Sequence, residues 1–146
     1  RRQRRDRGMR QPGGLWSVEK RVILIVDDEE RVLFVLQNAL LKLEEGIEVM
    51  TAHKAHDALR KLDGVACDLV ITDLIMPDMD GLEFTRRVKA REESPAVIWM
   101  TAYGCHSFAG DVDELGVYRC VEKPLEIGEI RDLVLDALRH QDGASG

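Results

Sequence analysis

The chain alternates five short apolar runs with five segments of helical spacing, and this alternation limits the possible folds more than any other feature. The apolar runs cover residues 21–26, 47–51, 68–72, 96–100 and 117–121. Apolar residues recur every three or four positions in segments 29–43, 54–62, 81–91, 105–115 and 127–140. Strands that alternate with helices form a parallel sheet with right-handed crossovers and helices on both faces. The sequence therefore predicts one α/β domain of the doubly wound type.

The composition of the runs also predicts the order of the strands. The first, third and fourth runs are apolar throughout, which is typical of central strands covered on both faces. The second and fifth runs include Glu48 and Arg119, which favours positions at the edges of the sheet. The order 2-1-3-4-5 satisfies this pattern. It places a crevice at the carboxyl ends of the first and third strands, where the strand order reverses.

Polar side chains follow four of the apolar runs, at the point where each strand is predicted to end. Asp27 and Asp28 follow the first run, Asp73 the third, Thr101 the fourth and Lys123 the fifth. Because parallel strands end at the same edge of a sheet, we expect these five side chains to lie close together. The edge would then carry three carboxylates, a hydroxyl and an ammonium group.

Three carboxylates a few ångströms apart repel one another, by about 4 kcal/mol per pair at ~4 Å and an effective dielectric constant of ~20. Either a pKa rises or a cation lies between them. Mg²⁺ takes one or two carboxylates and leaves positions for water and phosphate oxygens. With an ammonium and a hydroxyl group nearby, such a site is suited to phosphoryl transfer, and Asp73 is placed to attack phosphorus.

Each of these residues also has a purely structural explanation. Asp28 would favour the N-terminal dipole of the first helix, Thr101 would bond the backbone, and Lys123 would be an ordinary solvated lysine. These explanations are weaker jointly than singly, because the residues follow separate strands yet lie at one edge. For Asp78 and Asp80 the structural explanation is preferred: the first is a turn residue and the second caps the third helix.

Four motifs together carry a family resemblance. VDDEE at 26–30, DLIMPDMDG at 73–81, MTA at 100–102 and KP at 123–124 resemble the receiver domain of two-component response regulators. The resemblance covers about residues 20–140. It implies the same doubly wound, flavodoxin-like fold and a domain that takes a phosphoryl group from a phosphohistidine of a sensor kinase. It describes a self-phosphorylating and self-dephosphorylating switch that controls an output, not a turnover enzyme.

The resemblance also implies roles for the residues at the acidic edge. Asp73 corresponds to the phosphoacceptor. Mg²⁺ is the implied cofactor, with Asp28 as a direct ligand, Asp27 assisting through water, and Asp73 and the backbone carbonyl of Ile75 completing the protein ligands. Thr101 would bond one phosphoryl oxygen.

Lys123 would pair with another phosphoryl oxygen, and its bond to Pro124 resembles one that is cis in the family. Receivers usually carry Tyr or Phe three residues before this lysine, as a switch that turns inward when the threonine moves toward the phosphate. Cys120 occupies that position here, and Tyr118, two residues earlier, is predicted on the same strand face. We therefore expect a modified signalling route through Thr101, Cys120 and Tyr118, which weakens the expectation of the common homodimer through the fourth helix, fifth strand and fifth helix.

Two alternative functions remain. A Mg²⁺-dependent aspartyl-phosphate phosphatase needs an acid/base Asp two residues after the nucleophile, where this chain has Ile75. A degenerate receiver would act as a docking module without phosphorylation, although all the acceptor-site residues are present. Because Ile75 cannot orient a water molecule, we expect slow loss of the phosphoryl group.

The cysteines and the apolar runs bear on location. Cys67, Cys105 and Cys120 are an odd number and lack metal-ligand spacing, so they support neither a disulfide framework nor a zinc site. We expect a reducing compartment. No run approaches the roughly 20 apolar residues of a membrane span, and no apolar region follows the basic N-terminus. The sequence therefore predicts a cytoplasmic protein.

The charge of the chain is unevenly distributed. The whole chain carries −6 and its first ten residues carry +5, so the other residues carry −11. An acidic body disfavours binding to nucleic acid or to an anionic membrane. We expect residues 1–19 to be a disordered basic leader or linker, residues 20–140 the receiver domain, and residues 141–146 a flexible tail.

Overall fold

The computed structural model describes residues 20–145, and its centre is a sheet of five parallel strands. The strands are β1 (Arg21–Val26), β2 (Ile47–Ala52), β3 (Leu69–Asp73), β4 (Ala96–Thr101) and β5 (Arg119–Glu122). Their order is β2-β1-β3-β4-β5, and every neighbouring pair is parallel. The predicted fold class and strand order are confirmed. The predicted leader, residues 1–19, lies outside the described residues.

Among residues 20–145, five α-helices connect or follow the strands. They are α1 (Glu30–Leu41), α2 (Ala55–Gly64), α3 (Gly81–Lys89), α4 (Ala109–Leu115) and α5 (Ile127–Ser145). Within the described part of the chain, none of the helices combines the length and the apolar character that crossing a membrane requires.

Two helices differ from the prediction. The segment predicted as one helix at 105–115 is a 3₁₀ turn at Cys105–Phe108 followed by α4. The last helix continues to Ser145 instead of ending near His140. The extended part of the helix makes a tertiary contact, in which Gln141 Nε2 donates to the Ser94 carbonyl at 3.1 Å. Part of the stretch predicted as a tail is therefore helical.

The core lies on both faces of the sheet. On one face α2, α3 and α4 cover side chains such as Leu24, Val70 and Trp99. On the other face α1 and α5 cover Ile25 and Ile71 with their neighbours. The two layers of helices bury β1, β3 and β4 almost completely, whereas β2 and β5 are half-buried, as the apolar and mixed strand compositions predict.

The loop between β3 and α3 is held tightly at its end. Gly81 N donates to the Leu74 carbonyl at 3.1 Å, and a Cβ atom on Gly81 would clash with that carbonyl oxygen. Asp80 caps α3 by accepting a hydrogen bond from Leu82 N at 3.1 Å, as predicted. Glu83 does not reach back to complete a capping box, because it pairs with two arginines of its own helix. The glycine and the cap together fix the path of the chain that follows Asp73.

A disulfide joins Cys105 to Cys120, and this corrects the sequence analysis. The two residues are 15 positions apart, a spacing without a recognisable motif. They meet because β5 pairs with β4, which brings Cys120 beside the segment that leaves β4. Cys67 is a buried thiol outside this bond. The reducing compartment inferred from the cysteine pattern therefore loses its support.

Candidate functional site: an acidic cluster with a paired lysine

The carboxyl ends of three central strands bring the predicted site residues together. Asp73 is the last residue of β3 and lies opposite Met100 of β4 in the sheet register. Asp27 and Asp28 directly follow β1, and Thr101 ends β4. Because β1 and β4 both pair with β3, their ends flank Asp73 on either side. The crevice predicted where the strand order reverses is thus lined by carboxylates.

The three aspartates form one acidic cluster. One carboxylate oxygen from each of Asp27, Asp28 and Asp73 lies within 4.8 Å of the others. Asp27 is fully buried, Asp73 is 7% exposed, and Asp28 is exposed. The cluster therefore opens to solvent at one side, which lets a hydrated cation or a phosphorylated group reach it.

Lys123 places its ammonium group between two of these carboxylates. Its Nζ lies 2.8 Å from Asp27 Oδ2 and 2.9 Å from Asp73 Oδ2. Burial would lower the pKa of Lys123, but the hydrogen bonds and charges of Asp27 and Asp73 outweigh burial, so the net shift of this pKa is upward. The lysine is therefore charged at neutral pH and is not an ordinary solvated side chain.

Asp27 is the most deeply buried acid of the site. Burial raises its pKa above the ordinary value of 3.8, and the charge of Asp73 acts in the same direction. The hydrogen bonds from Lys123 and from the Glu29 amide oppose this rise. Glu29 N donates to Asp27 Oδ1 at 2.8 Å, and the Glu29 carboxylate lies 3.5 Å from Lys123 Nζ. Strand-end patterns do not identify this fourth carboxylate as part of the site, although it stands only two residues after Asp27.

Thr101 and Ile75 lie where the strand-end pattern predicts. Thr101 is completely buried, and its Oγ1 accepts a hydrogen bond from Tyr103 N at 2.9 Å. Its hydroxyl proton is still available for donation. Ile75 N donates to Asp73 Oδ1 at 3.1 Å, while the Ile75 side chain is 56% exposed. The backbone after Asp73 thus orients the carboxylate, and an apolar side chain faces solvent beside it.

The peptide bond between Lys123 and Pro124 is cis, as the resemblance implies. Lys123 N also donates to the Thr101 carbonyl at 2.7 Å. The lysine is therefore fixed to the end of β4 through its backbone and to the acidic cluster through its side chain.

The two candidate switch residues lie on different faces, which corrects the prediction that they share one. Cys120 packs with the cluster that contains Trp99, whereas Tyr118 packs on the opposite side against α5. The Tyr118 hydroxyl donates to Asp136, and its ring contacts the His140 ring at a tilt of 41° with centroids 5.2 Å apart. Tyr118 precedes the first residue of β5, so the alternation of a regular strand does not apply to it. Of the two residues, Cys120 faces the connection that leaves Thr101.

Asp78 does more than the turn role predicted for it. Its carboxylate accepts from Ala55 N at 3.0 Å and from His56 N at 2.9 Å, and it lies 2.7 Å from the His56 ring nitrogen. It therefore caps α2 from a different part of the chain and holds the loop that follows Asp73 against this helix. A sequence separation of 22 to 23 residues hides such a cap from local patterns.

Asp78→Ala is expected to lower the free energy of unfolding by about 1–2 kcal/mol at neutral pH, since two amides at the N-terminus of α2 lose their acceptor. Burial would raise the pKa of Asp78, but the hydrogen bonds from His56 and Ala55 lower it from 3.8 to about 2. A depressed acidic pKa gives stability that is present above about pH 4 and lost as the pH falls toward about 2. Denaturant titrations across this range should show the variant and parent converging.

A matched control for this prediction is Asp63→Ala. Asp63 pairs with Arg91 at 2.9 Å, but the aspartate side chain is 69% exposed. Such a surface pair contributes about 0–1 kcal/mol. Equal losses in the two variants, or a loss in Asp78→Ala that does not depend on pH, would contradict the capping role.

Comparison with known proteins agrees with this geometry. The family model described as "Response regulator receiver domain" matches residues 23–135. Sporulation initiation phosphotransferase F of Bacillus subtilis (strain 168) is 38% identical over 112 residues, which cover 77% of this chain and 89% of the relative. The regulatory protein AtoC of Escherichia coli (strain K12) is 34% identical over 119 residues, or 82% of this chain. The aligned part is only 25% of the length of AtoC.

A solved structure shows the same likeness. The solution structure of the beryllofluoride-activated NtrC4 receiver domain dimer superposes with a TM-score of 0.75 at 28% identity, covering 82% of this chain and 98% of that one. The family model, the relative aligned over most of its length, and the strand order with its acidic cluster all lead to one assignment. The chain belongs to the family of response regulator receiver domains of two-component systems.

Proposed function

We infer that this domain is a phosphorylation-controlled switch in which Asp73 accepts a phosphoryl group and a change of conformation controls an output. One observation carries this proposal. The carboxylates of Asp27, Asp28 and Asp73 lie within 4.8 Å of one another, and Lys123 Nζ lies 2.9 Å from Asp73 at the open edge of the sheet. A nucleophilic carboxylate beside a fixed positive charge is the arrangement that phosphoryl transfer needs.

The donor set of the cluster fits Mg²⁺. Carboxylate and carbonyl oxygens are the ligands that this ion prefers, and the exposed side of the cluster leaves room for water. Asp27, Asp28, Asp73 and the backbone carbonyl of Ile75 would hold it. When bound, Mg²⁺ supplies positive charge that offsets both the three carboxylates and the oxygens of an incoming phosphoryl group.

The side chains of the chain account for the transfer itself. A carboxylate oxygen of Asp73 forms a bond to phosphorus while the bond from phosphorus to the histidine nitrogen of the donor breaks. Lys123 pairs with a phosphoryl oxygen in place of its present bond to Asp73. Thr101 donates its hydroxyl proton to another phosphoryl oxygen, which draws the end of β4 toward the site. This movement is the conformational signal.

A groove next to the site suits the partner that carries the phosphohistidine. It has a volume of about 520 Å³ and is lined mainly by apolar side chains of α1 and of the segment after the cis peptide bond, among them Val35, Pro124 and Leu125. Lys123 lies at its border. A sensor histidine kinase or a phosphotransfer protein that packed a helix here would bring its histidine to Asp73.

The test is labelling with acetyl phosphate. With Mg²⁺ present we expect one phosphoryl group per chain, measured by intact mass and located by peptide mapping to the segment that contains Asp73. Removal of Mg²⁺ with a chelator should abolish the label. A folded, Mg²⁺-loaded protein that stays unlabelled would instead favour the docking module that works without phosphorylation.

A second assay, phosphate release from a generic phosphate ester, separates the switch from a phosphatase. A switch takes up phosphate stoichiometrically and then stops, whereas a phosphatase releases phosphate steadily from a generic ester. The residue two positions after Asp73 is Ile75, whose side chain carries no acidic or basic group. We therefore propose a switch and not a turnover enzyme.

Ile75→Asn is expected to speed loss of the phosphoryl group roughly tenfold, because the amide would orient a water molecule that the apolar side chain cannot. The rate is measured by the decay of the labelled mass after removal of the phosphodonor. Ile75→Val is the matched control and should decay like the parent. An Ile75→Asn variant that lost phosphate no faster would show that Ile75 does not limit the reaction.

Further aspects of the function are also proposals. We propose that the domain covers about residues 20–140, with α5 continuing to Ser145, and that it works in the cytoplasm. We also propose that its output includes control of transcription through a longer protein, because the DNA-binding transcriptional regulator NtrC is a relative of which the aligned part is only 26%. A homodimer is proposed because the NtrC4 receiver domain forms a dimer. We propose no direct contact with nucleic acid or membrane, since the chain beyond its first ten residues carries −11.

A further inference from the structure

The disulfide ties together two parts of the chain that lie beside the site. Cys105 is the first residue of the 3₁₀ turn after β4, and Cys120 lies in β5 opposite Trp99. Their Cα atoms are 5.8 Å apart, within the range that a disulfide spans. The bond therefore anchors the connection that leaves Thr101 to the edge strand of the sheet.

Residues 102–116, the anchored segment, pack on the core only through partly buried side chains, namely Phe108, Val112 and Leu115. Neither the 3₁₀ turn nor α4 contains a fully buried residue. The Cys105 amide donates to the Glu122 carboxylate at 2.9 Å, and the Phe108 ring meets the Trp99 ring edge-on with centroids 6.2 Å apart. These contacts are non-covalent and none of them is fully buried, so the disulfide is the covalent restraint on this segment.

The disulfide is within reach of small reagents. Cys105 and Cys120 are both half-buried, and the chain around Cys105 is exposed at His106 and Ser107. Cys67 is different, because it is 2% exposed and its thiol donates to backbone carbonyls. A small thiolate can therefore approach the disulfide in the folded protein while Cys67 stays protected.

We propose that Cys105 and Cys120 form a thiol–disulfide exchange site whose redox state sets the mobility of residues 102–116. The thiolate of a low-molecular-weight thiol attacks one cysteine sulfur, the bond between the cysteines breaks, and a mixed disulfide forms. A second thiol molecule then attacks the mixed disulfide. Two thiol molecules become one small disulfide, and their two electrons and two protons convert Cys105 and Cys120 to thiols. A small-molecule disulfide reverses the reaction.

The position of the bond gives this chemistry a consequence for signalling. The connection after Thr101 must move if Thr101 turns toward a phosphorylated Asp73. In the oxidised protein the disulfide restrains this connection at Cys105. The reduced pair releases it. Oxidation therefore keeps the domain in its resting conformation even when Asp73 carries phosphate, a step that rests on the proposed function.

The first test needs no phosphodonor. The protein is equilibrated in buffers of reduced and oxidised glutathione, alkylated, and analysed by mass spectrometry, and amide hydrogen exchange is followed in the same samples. We expect Cys105 and Cys120 to be alkylated together, and exchange in residues 102–116 to become at least about tenfold faster on reduction. Cys105→Ser should show the fast exchange in every buffer, whereas Cys67→Ala should respond like the parent.

Two results would overturn the exchange site. One is a protein whose Cys105 and Cys120 both stay alkylatable in oxidised glutathione, and the other is hydrogen exchange in residues 102–116 that does not change on reduction. Repeating the exchange measurement after acetyl phosphate treatment separates this proposal from the proposed function. Redox-dependent exchange without labelling refutes the phosphorylation switch alone, and labelling without redox-dependent exchange refutes the exchange site alone.

Discussion

Asp73→Asn is expected to reduce labelling by acetyl phosphate at least about a hundredfold, because an amide oxygen lacks the nucleophilic charge of a carboxylate. The asparagine keeps the size of the side chain and an oxygen that can accept from Ile75 N, which donates at 3.1 Å in the parent. The fold should therefore persist. The measurement is the fraction of chains that gain a phosphoryl group in Mg²⁺, with circular dichroism to verify folding.

Asp68→Asn provides a matched control for this experiment. Asp68 is 3% exposed, directly precedes β3, and accepts a hydrogen bond from Val22 N at 2.9 Å. It is thus a buried aspartate at the opposite end of the same strand from Asp73. We expect labelling of this variant to match the parent. Equal labelling of Asp73→Asn and the parent would move the acceptor to another residue and refute the assignment.

The sequence predicts the fold and the acidic cluster well because buried strands and strand ends can both be recognised from local residue patterns. Uniformly apolar runs identify β1, β3 and β4 as central strands, and the order then follows from the two mixed runs. A residue that follows a parallel strand must lie at the shared carboxyl edge, so Asp27, Asp73 and Lys123 converge in any correct arrangement of these strands. The positions of these residues at one edge of the sheet follow from the strand topology alone.

The features that escaped prediction depend on contacts between distant parts of the chain. Asp78 caps α2 from 22 to 23 residues away, and Cys120 meets Cys105 through the pairing of β4 with β5. Tyr118 lies outside the regular strand, so counting by two assigned it to the wrong face. Such contacts arise from tertiary packing, and a local pattern of residue types does not encode them.

The second large effect is expected at the lysine of the site. Lys123→Met should lower the free energy of unfolding by about 2–4 kcal/mol in buffer without Mg²⁺, because the change leaves Asp27 buried without its cation. The side chains of Lys123 and Asp27 are 15% and 0% exposed, so water replaces little of the lost interaction. Denaturant titration of parent and variant in a chelating buffer measures this difference.

Two comparisons make this prediction specific to the cluster. Lys20→Met is the matched control, since Lys20 pairs with Glu48 at 3.1 Å but its side chain is 63% exposed, which limits the loss to about 0–1 kcal/mol. Added Mg²⁺ should stabilise Lys123→Met more than the parent. Without the ammonium group, the three carboxylates repel one another and bind a divalent cation more favourably.

The stability loss of Lys123→Met should depend on pH, and a loss caused by packing alone would not. Burial already raises the pKa of Asp27 above 3.8, and the hydrogen bond from Lys123 opposes that rise. Removing the lysine raises this pKa further in the folded state, so the folded variant binds more protons than the unfolded chain and gains stability as the pH falls. The deficit of Lys123→Met should therefore shrink as the pH falls from neutral toward 3.8, the ordinary pKa of an aspartate. A deficit that stayed constant over this range would attribute the loss to the packing of the lysine side chain and not to the unpaired carboxylates.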